Sequence, residues 1–330
     1  MKTVLPAIFA ASTLVLAACQ PETTAFDPPA ASDPASLVET ASAPVTSDIQ
    51  APSFGALPAF FDCVRESGGV LIASHRGGPA PGYPENALET LQYGMDQGLI
   101  IHEIDVAESR DGVLFLMHDR SLGRTTTGDG PVADTDWATI QTLNLKDNSG
   151  AITDFTPPAL SDVLLWAKAT GSLVELDKKP TTSFRNIISH VRAAGAENNV
   201  LLITYTDQQA IEVARLAPDL MMTAGLDSRS HQEELENAGV NFDHVVAWMG
   251  ISNPNTRAFE AIGNRGIETA FGTLGRPGER LDDLYLADGD PSEFQDLVDG
   301  GLTLLATDEP YQVAAALSDD DRVRETCADG

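Results

Sequence analysis

The stretch VLIASHRGG, residues 70–78, is an apolar run that stops at an imidazole, a guanidinium and two glycines. Near-continuous Val, Ile and Leu is the habit of a parallel strand covered on both faces. Polar side chains at such a strand's last positions, with glycines that let the backbone turn sharply, mark the end where a ligand sits. Seven further apolar runs follow: IIHEIDV (100–106), SLVELDK (172–178), VLLITY (200–205), LMMTAG (220–225), HVVAW (244–248), GIETAF (266–271) and LTLLAT (302–307). Helix-like segments lie between them. NALETLQYGM (86–95) predicts a helix with Asn86 as N-cap, Glu89 three residues later, and Leu88, Leu91 and Met95 on one side. DPSEFQDLVDGG (290–301) repeats that logic with Asp290 as cap and Pro291 in the first turn.

Eight strands alternating with helices predict an α/β fold of the (β/α)8, TIM-type barrel class. A doubly wound open sheet is the rival, but it would prefer a GxGxxG turn after the first strand, and HRGGPAPG is none. The connection from Ala107 to Pro158 is too long for a simple loop. It carries its own hairpin-like run DGVLFLMHD (111–119), then RTTTGDG (124–130). It reads as a small insertion between strand two and the following helix, sitting over one end of the barrel.

The 330 residues are 42% hydrophobic and carry a formal net charge of -29, from 49 acidic against 20 basic side chains. So acidic a surface excludes a nucleic-acid partner, because phosphate backbones are bound by basic stripes. No protein partner is predicted. Residues 1–18 read as a signal peptide: Lys2 is the basic start, an apolar run follows, and Leu16-Ala17-Ala18-Cys19 closes it. That closing run resembles the bacterial lipobox, which implies lipidation of Cys19 and a membrane contact through an N-terminal lipid anchor. Gln20, in place of Asp, resembles the pattern sent on to the outer membrane, facing the periplasm. Residues 19–58, rich in Pro, Ala, Ser and Thr, predict a disordered tether, and 59–330 the folded domain. Outside the cytoplasm, a disulfide between Cys63 and Cys327 is the expectation, with two separate thiols as the alternative.

In IIHEIDV, Glu103 and Asp105 are two apart and share a face, with Ile101 below them and His102, Ile104 and Val106 on the other side. Two carboxylates side by side at the mouth of an apolar barrel need a cation, or one must keep its proton. Hard oxygen ligands suit Mg2+ or Ca2+. Strand three brings Glu175, Asp177 and Lys179 to the same rim, and the insertion brings His118 and Asp119. Two histidines can divide general-base and general-acid work. A divalent cation with Arg76 and Lys179 can hold a phosphoryl group. The set fits phosphodiester cleavage.

The motifs His75-Arg76-Gly77, Pro84-Glu85-Asn86, Glu103-Ile104-Asp105, His118-Asp119, Arg124-Thr125-Thr126, Asp177-Lys178-Lys179-Pro180 and Thr307-Asp308-Glu309-Pro310 come in one order. In that order they resemble the glycerophosphodiester phosphodiesterase family. The resemblance spans residues 70 to about 310 and implies a TIM-type barrel with an insertion after strand two. It implies one divalent cation, Mg2+ or Ca2+, held by Glu103, Asp105 and Asp177. It makes His75 and His118 the acid/base pair, with His75 favoured as base, and Arg76 and Lys179 the phosphate contacts. The implied reaction releases glycerol phosphate and an alcohol from a small phosphodiester. Ala87 replaces the family's threonine after Asn86, and the polar segment 269–290 replaces its motif at strand seven. Glu175 is a spare carboxylate that either assists Asp177 or pairs with a lysine. Two alternatives stand: a lipid-headgroup phosphodiesterase of phospholipase C or D type, and a non-catalytic lipid-anchored binding protein on the same barrel.

Overall fold

Residues 56–290, 292–317 and Cys327 are described by the structure, a computed structural model. The signal peptide, Cys19 and nearly all of the tether lie outside the described residues. Helix α1 (Leu57–Ser67) leads into β1 (Leu71–Ser74), α2 (Leu88–Asp96), β2 (Ile101–Glu108), β3 (Leu114–Leu116), α3 (Trp137–Ile140), α4 (Leu160–Thr170) and β4 (Leu173–Lys178). Strand and helix then alternate as α5 (Phe184–Ala194), β5 (Val200–Ile203), α6 (Asp207–Leu216), β6 (Met221–Gly225), α7 (Arg229–Asn237), β7 (Val245–Trp248) and α8 (Thr256–Gly263). The chain continues through β8 (Glu268–Gly272), α9 (Leu281–Tyr285), α10 (Ser292–Asp299), β9 (Leu304–Thr307) and α11 (Pro310–Ala316).

Each of the eight predicted apolar runs is a strand, and all eight pair in parallel. β1 is bonded to both β2 and β9, so the sheet closes into a (β/α)8 barrel. The ninth strand, β3, belongs to the insertion. It runs antiparallel to the end of β2, with Val106 opposite Leu116 and Glu108 opposite Leu114. The insertion packs a small core of its own from Phe115, Met117, Leu122, Val132 and Ile140.

Period-two alternation sorts the strand residues. Ile104, Val106, Leu176, Leu202 and Met222 point out against α4, α5 and α6. Leu71, Ala73, Ile101, Leu173, Leu201 and Val246 fill the barrel. Leu57, Phe60, Phe61 and Val64 of α1 join that inner cluster. Their spacing of three and four residues puts them on one helical face, and Arg65 Nε donates to Glu268 at the start of β8 (2.8 Å). Helix α1 therefore closes the N-terminal mouth of the barrel.

Cys63 of α1 is joined to Cys327 by a disulfide that spans 264 residues of chain. Closing so long a loop restricts the unfolded chain strongly. Replacing both cysteines by serine is expected to lower the unfolding free energy by about 5 kcal/mol. Urea unfolding checks it, and a loss under about 1 kcal/mol would contradict the loop-closure account.

Candidate active site at the C-terminal mouth

Strands β2 and β4 lie in register, with Glu103 opposite Glu175 and Asp105 opposite Asp177. The alternation that buries Ile101 below them turns these four carboxylates into the barrel lumen. Oxygens of Glu103, Asp105 and Asp177 lie within 4.8 Å of one another, and all three residues are buried. Lys179 Nζ donates to Asp177 Oδ2 (2.6 Å) and to Asp105 Oδ1. Burial pushes the Glu103 carboxyl up to about 8, and the charge of Asp105 adds to that. Burial alone does the same to Glu175. Burial pulls the Lys179 ammonium down, but the charges of Asp105 and Asp177 outweigh it and leave its pKa raised.

Acids so crowded and dry demand positive charge. Asp177 Oδ1 is buried and has no hydrogen-bond partner among the described residues. Three converging carboxylates and an orphaned oxygen suit a divalent cation held by hard oxygen ligands. Among the described residues, Glu103, Asp105 and Asp177 are the ones placed to hold it. Glu175 lines the same pocket but stands outside that triad.

β1 ends at Ser74, and residues His75–Gly77 form a tight 3-10 turn. Arg76 sits in the left-handed region (φ 53°), at a cost of about 1 kcal/mol. That turn aims the Arg76 N–H at Glu103 Oε2 (2.8 Å). Gly77 (φ 85°) has no room for a side chain, since a Cβ there would lie 2.6 Å from Leu91 Cδ2. His75 Nδ1 then lies 2.6 Å from Asp308 Oδ1, and its Nε2 4.0 Å from Glu103 Oε2. Burial disfavours the imidazolium, but the Asp308 hydrogen bond and the Glu103 charge prevail and raise the His75 pKa. Asp308 is itself clamped by the Gly275 N–H (2.9 Å) and Arg280 Nη1 (3.0 Å). Burial opposes its ionisation, yet the bonds from His75, Gly275 and Arg280 hold its carboxyl well below the usual range.

His118 repeats the arrangement from the insertion. Its Nδ1 lies 2.8 Å from Asp119 Oδ1, and Arg124 Nε grips the other Asp119 oxygen (2.6 Å). A carboxylate at Nδ1 accepts its proton and leaves Nε2 as the working nitrogen. Both imidazoles line the same pocket, of about 470 Å³, as the carboxylates and Lys179.

Arg76 is placed differently from the phosphate contact its motif implied. Its Nη1 donates to Glu85 (3.1 and 3.3 Å), and Arg124 also donates to Glu85 (2.7 and 2.8 Å). Its Nε lies 3.8 Å from Asp105 Oδ2, outside the pocket lining. Asn86 is not the helix cap that its spacing predicted. Helix α2 is preceded by Ala87 and has no side-chain cap. Asn86 sits at φ 58°, donates from Nδ2 to Asp105 Oδ2 (2.7 Å) and accepts from the Asp105 N–H (2.9 Å). A short polar side chain tolerates the left-handed region, and two bonds to a buried aspartate, one to its carboxylate and one from its backbone N–H, outweigh a cap.

Sequence reasoning gave no role to Asp308, Arg280 or Tyr205. Asp308 had one signal, the Thr-Asp-x-Pro run after the last strand. Arg280 had none, for it lies in the segment that departs from the resembled family. Tyr205, whose hydroxyl donates to Asp177 Oδ2 (2.9 Å), stands two residues past β5 and carries no motif.

Residues 75–225 match the profile of the glycerophosphoryl diester phosphodiesterase family. The chain is 30% identical over 155 residues to the uncharacterized protein YqiK of Bacillus subtilis, an alignment covering 45% of this chain and 63% of that one. It thus spans less than two thirds of that relative's length. A crystal structure of a glycerophosphoryl diester phosphodiesterase from Parabacteroides distasonis superposes with a TM-score of 0.68 at 26% identity, covering 81% of this chain and 93% of that one. A phosphodiesterase from Oleispira antarctica, solved with its product sn-glycerol-3-phosphate, shares the fold at 22% identity and a TM-score of 0.58, over 76% of this chain and 98% of that one.

Proposed function

The chain belongs to the glycerophosphoryl diester phosphodiesterase family, and on that footing we propose that it hydrolyses glycerophosphodiesters to glycerol phosphate and an alcohol. One observation carries this reading: two aspartate-anchored imidazoles, a buried acidic triad and a lysine all line one pocket at the strand ends. The product bound by the Oleispira antarctica protein supports glycerol phosphate as the released half.

A divalent cation on Glu103, Asp105 and Asp177 would supply positive charge to the phosphoryl oxygens as negative charge develops there. The remaining work falls to side chains. His75 Nε2 takes the proton of the attacking water while Asp308 steadies the imidazolium that forms. Water oxygen bonds to phosphorus as the bond from phosphorus to the headgroup oxygen breaks. His118 Nε2 gives its proton to the departing oxygen, which leaves as a neutral alcohol. Lys179 neutralises a phosphoryl oxygen. Arg76 acts from behind, holding Glu103 through its N–H and Glu85 through its guanidinium.

Glycerophosphocholine and glycerophosphoethanolamine, offered with Mg2+ or Ca2+, are expected to release glycerol phosphate, and chelation by EDTA is expected to stop it. Turnover that survives chelation would remove the cation from the reaction. Tight ligand binding without turnover would favour a binding protein. Placement at a bacterial outer membrane through Cys19 rests on the lipobox-like run. Radiolabelled palmitate should enter the full chain and not its Cys19→Ser variant; equal labelling of both would exclude that anchor.

A further inference from the structure

Strand alternation gives β2 an imidazole that faces away from the pocket. His102, next to Glu103, points outward from the barrel and is fully buried (0% exposed). Its register partner on β1 is Ser74, the residue directly before His75. Ser74 Oγ lies 2.8 Å from His102 Nδ1 and 3.3 Å from the Ile101 carbonyl oxygen. A hydroxyl has one proton. With that proton on the Ile101 carbonyl, Ser74 accepts from the Nδ1–H and Nε2 is left as a bare acceptor. Nε2 is buried without a hydrogen-bond partner among the described residues.

Helix α2 makes room for this ring. An added Cβ at Gly94 would lie 2.9 Å from His102 Cε1 and 3.7 Å from the Gly77 carbonyl oxygen. A glycine within a helix costs stability, and here it lets the helix close on both the imidazole and the turn that carries His75. Trp166 of α4 packs on the ring as well, with centroids 5.7 Å apart, and its Nε1 donates to Gln92 of α2 (2.8 Å). A leucine in this slot would leave no nitrogen unpaired, and a buried unpaired nitrogen costs stability. Packing therefore does not account for an imidazole. What the imidazole adds is a tie from β2 to the last residue of β1. The turn is held at its middle by the Arg76 N–H on Glu103, and at its exit by Tyr311, whose hydroxyl donates to the Gly78 carbonyl (2.6 Å). Ser74 and His102 tie its entry. We propose that His102 is a positioning residue for the hydrolysis: through Ser74 it fixes the entry of the turn, and with it the placement of the His75 ring over the pocket. This rests on the phosphodiesterase reading and adds a residue to it.

The test measures kcat and KM for glycerophosphocholine, with urea unfolding of the same proteins. His102→Leu, which fills the slot without a hydrogen bond, is expected to lose about 10-fold in kcat while KM moves less than about twofold, and to be no less stable than the parent. Ser74→Ala should show the same loss, and the double variant no more than either single, because all three remove one bond. His102→Asn, whose amide stands where Nδ1 stood, is expected to recover most of the rate. An imidazole that only supports the fold predicts the reverse pattern: stability lost and kcat unchanged. A kcat within about twofold of the parent in Ser74→Ala, or His102→Asn no faster than His102→Leu, would overturn the proposal. If His102→Leu does not fold, Ser74→Ala decides alone. Absence of turnover in the unaltered protein would remove the phosphodiesterase reading. The placement of the ring is then read from a crystal structure of Ser74→Ala, where His75 is expected to shift by about 0.5 Å or more and an unmoved ring would refute the tie.

Discussion

His75→Ala is expected to lower kcat/KM for glycerophosphocholine by on the order of 10^3-fold, within the range that a general base contributes. His75 is held from two sides: its Nδ1 by Asp308, and its own turn by the Arg76 N–H on Glu103. Alanine removes the proton acceptor and leaves the Arg76–Glu103 bond in place, since that bond uses the backbone. Cation binding should therefore persist, and calorimetry with Ca2+ separates lost chemistry from a lost site. Asp308→Asn should fall between the two enzymes, by about 10- to 100-fold, because the ring keeps a partner for Nδ1 but loses the charge that steadies it. Retention of more than about a tenth of the activity in His75→Ala would assign the base elsewhere.

Asp105→Asn carries the second large effect. Asp105 is the most connected acid of the triad, bound to Lys179, hydrogen-bonded twice to Asn86 and 3.8 Å from Arg76. It is 1% exposed, so water cannot replace what the substitution removes. An amide in its place presents an NH2 group either to the Asn86 NH2 or to the Lys179 ammonium. Apparent cation affinity is expected to fall at least about 100-fold. Stability should drop by about 2–3 kcal/mol, since Lys179 keeps Asp177 but Arg76 loses its nearest charge after Glu85. Calorimetric titration and urea unfolding read the two effects separately. A variant that binds Ca2+ as the parent does would take Asp105 out of the ligand set.

Both effects depend on a division between local and distant information. Glu103 and Asp105 are legible as neighbours because a strand has period two, and Asp177 with Lys179 for the same reason. The insertion is legible because its length exceeds any loop and it carries an apolar run of its own. Asn86 shows the limit of local reading. Its spacing to Glu89 has the form of a cap, yet a carboxylate 19 positions away claims the side chain. Arg76 shows it again: a guanidinium beside His75 reads as a phosphate ligand, and only the fold shows it engaged by Glu85.

By itself the sequence determined the eight strands, their closure into a barrel, the insertion, and the roster of acids, imidazoles and lysine at the rim. Apolar runs and side-chain alternation are properties of adjacent residues, so they are written where they act. The tertiary structure alone decided that Asp308 anchors His75, that Arg280 clamps Asp308, that α1 plugs the far mouth, and that Trp248, Ile251 and Leu274 converge over Gly272. Those partners lie on different strands and loops. Only the closing of the cylinder brings them within bonding distance, and no spacing along the chain encodes it.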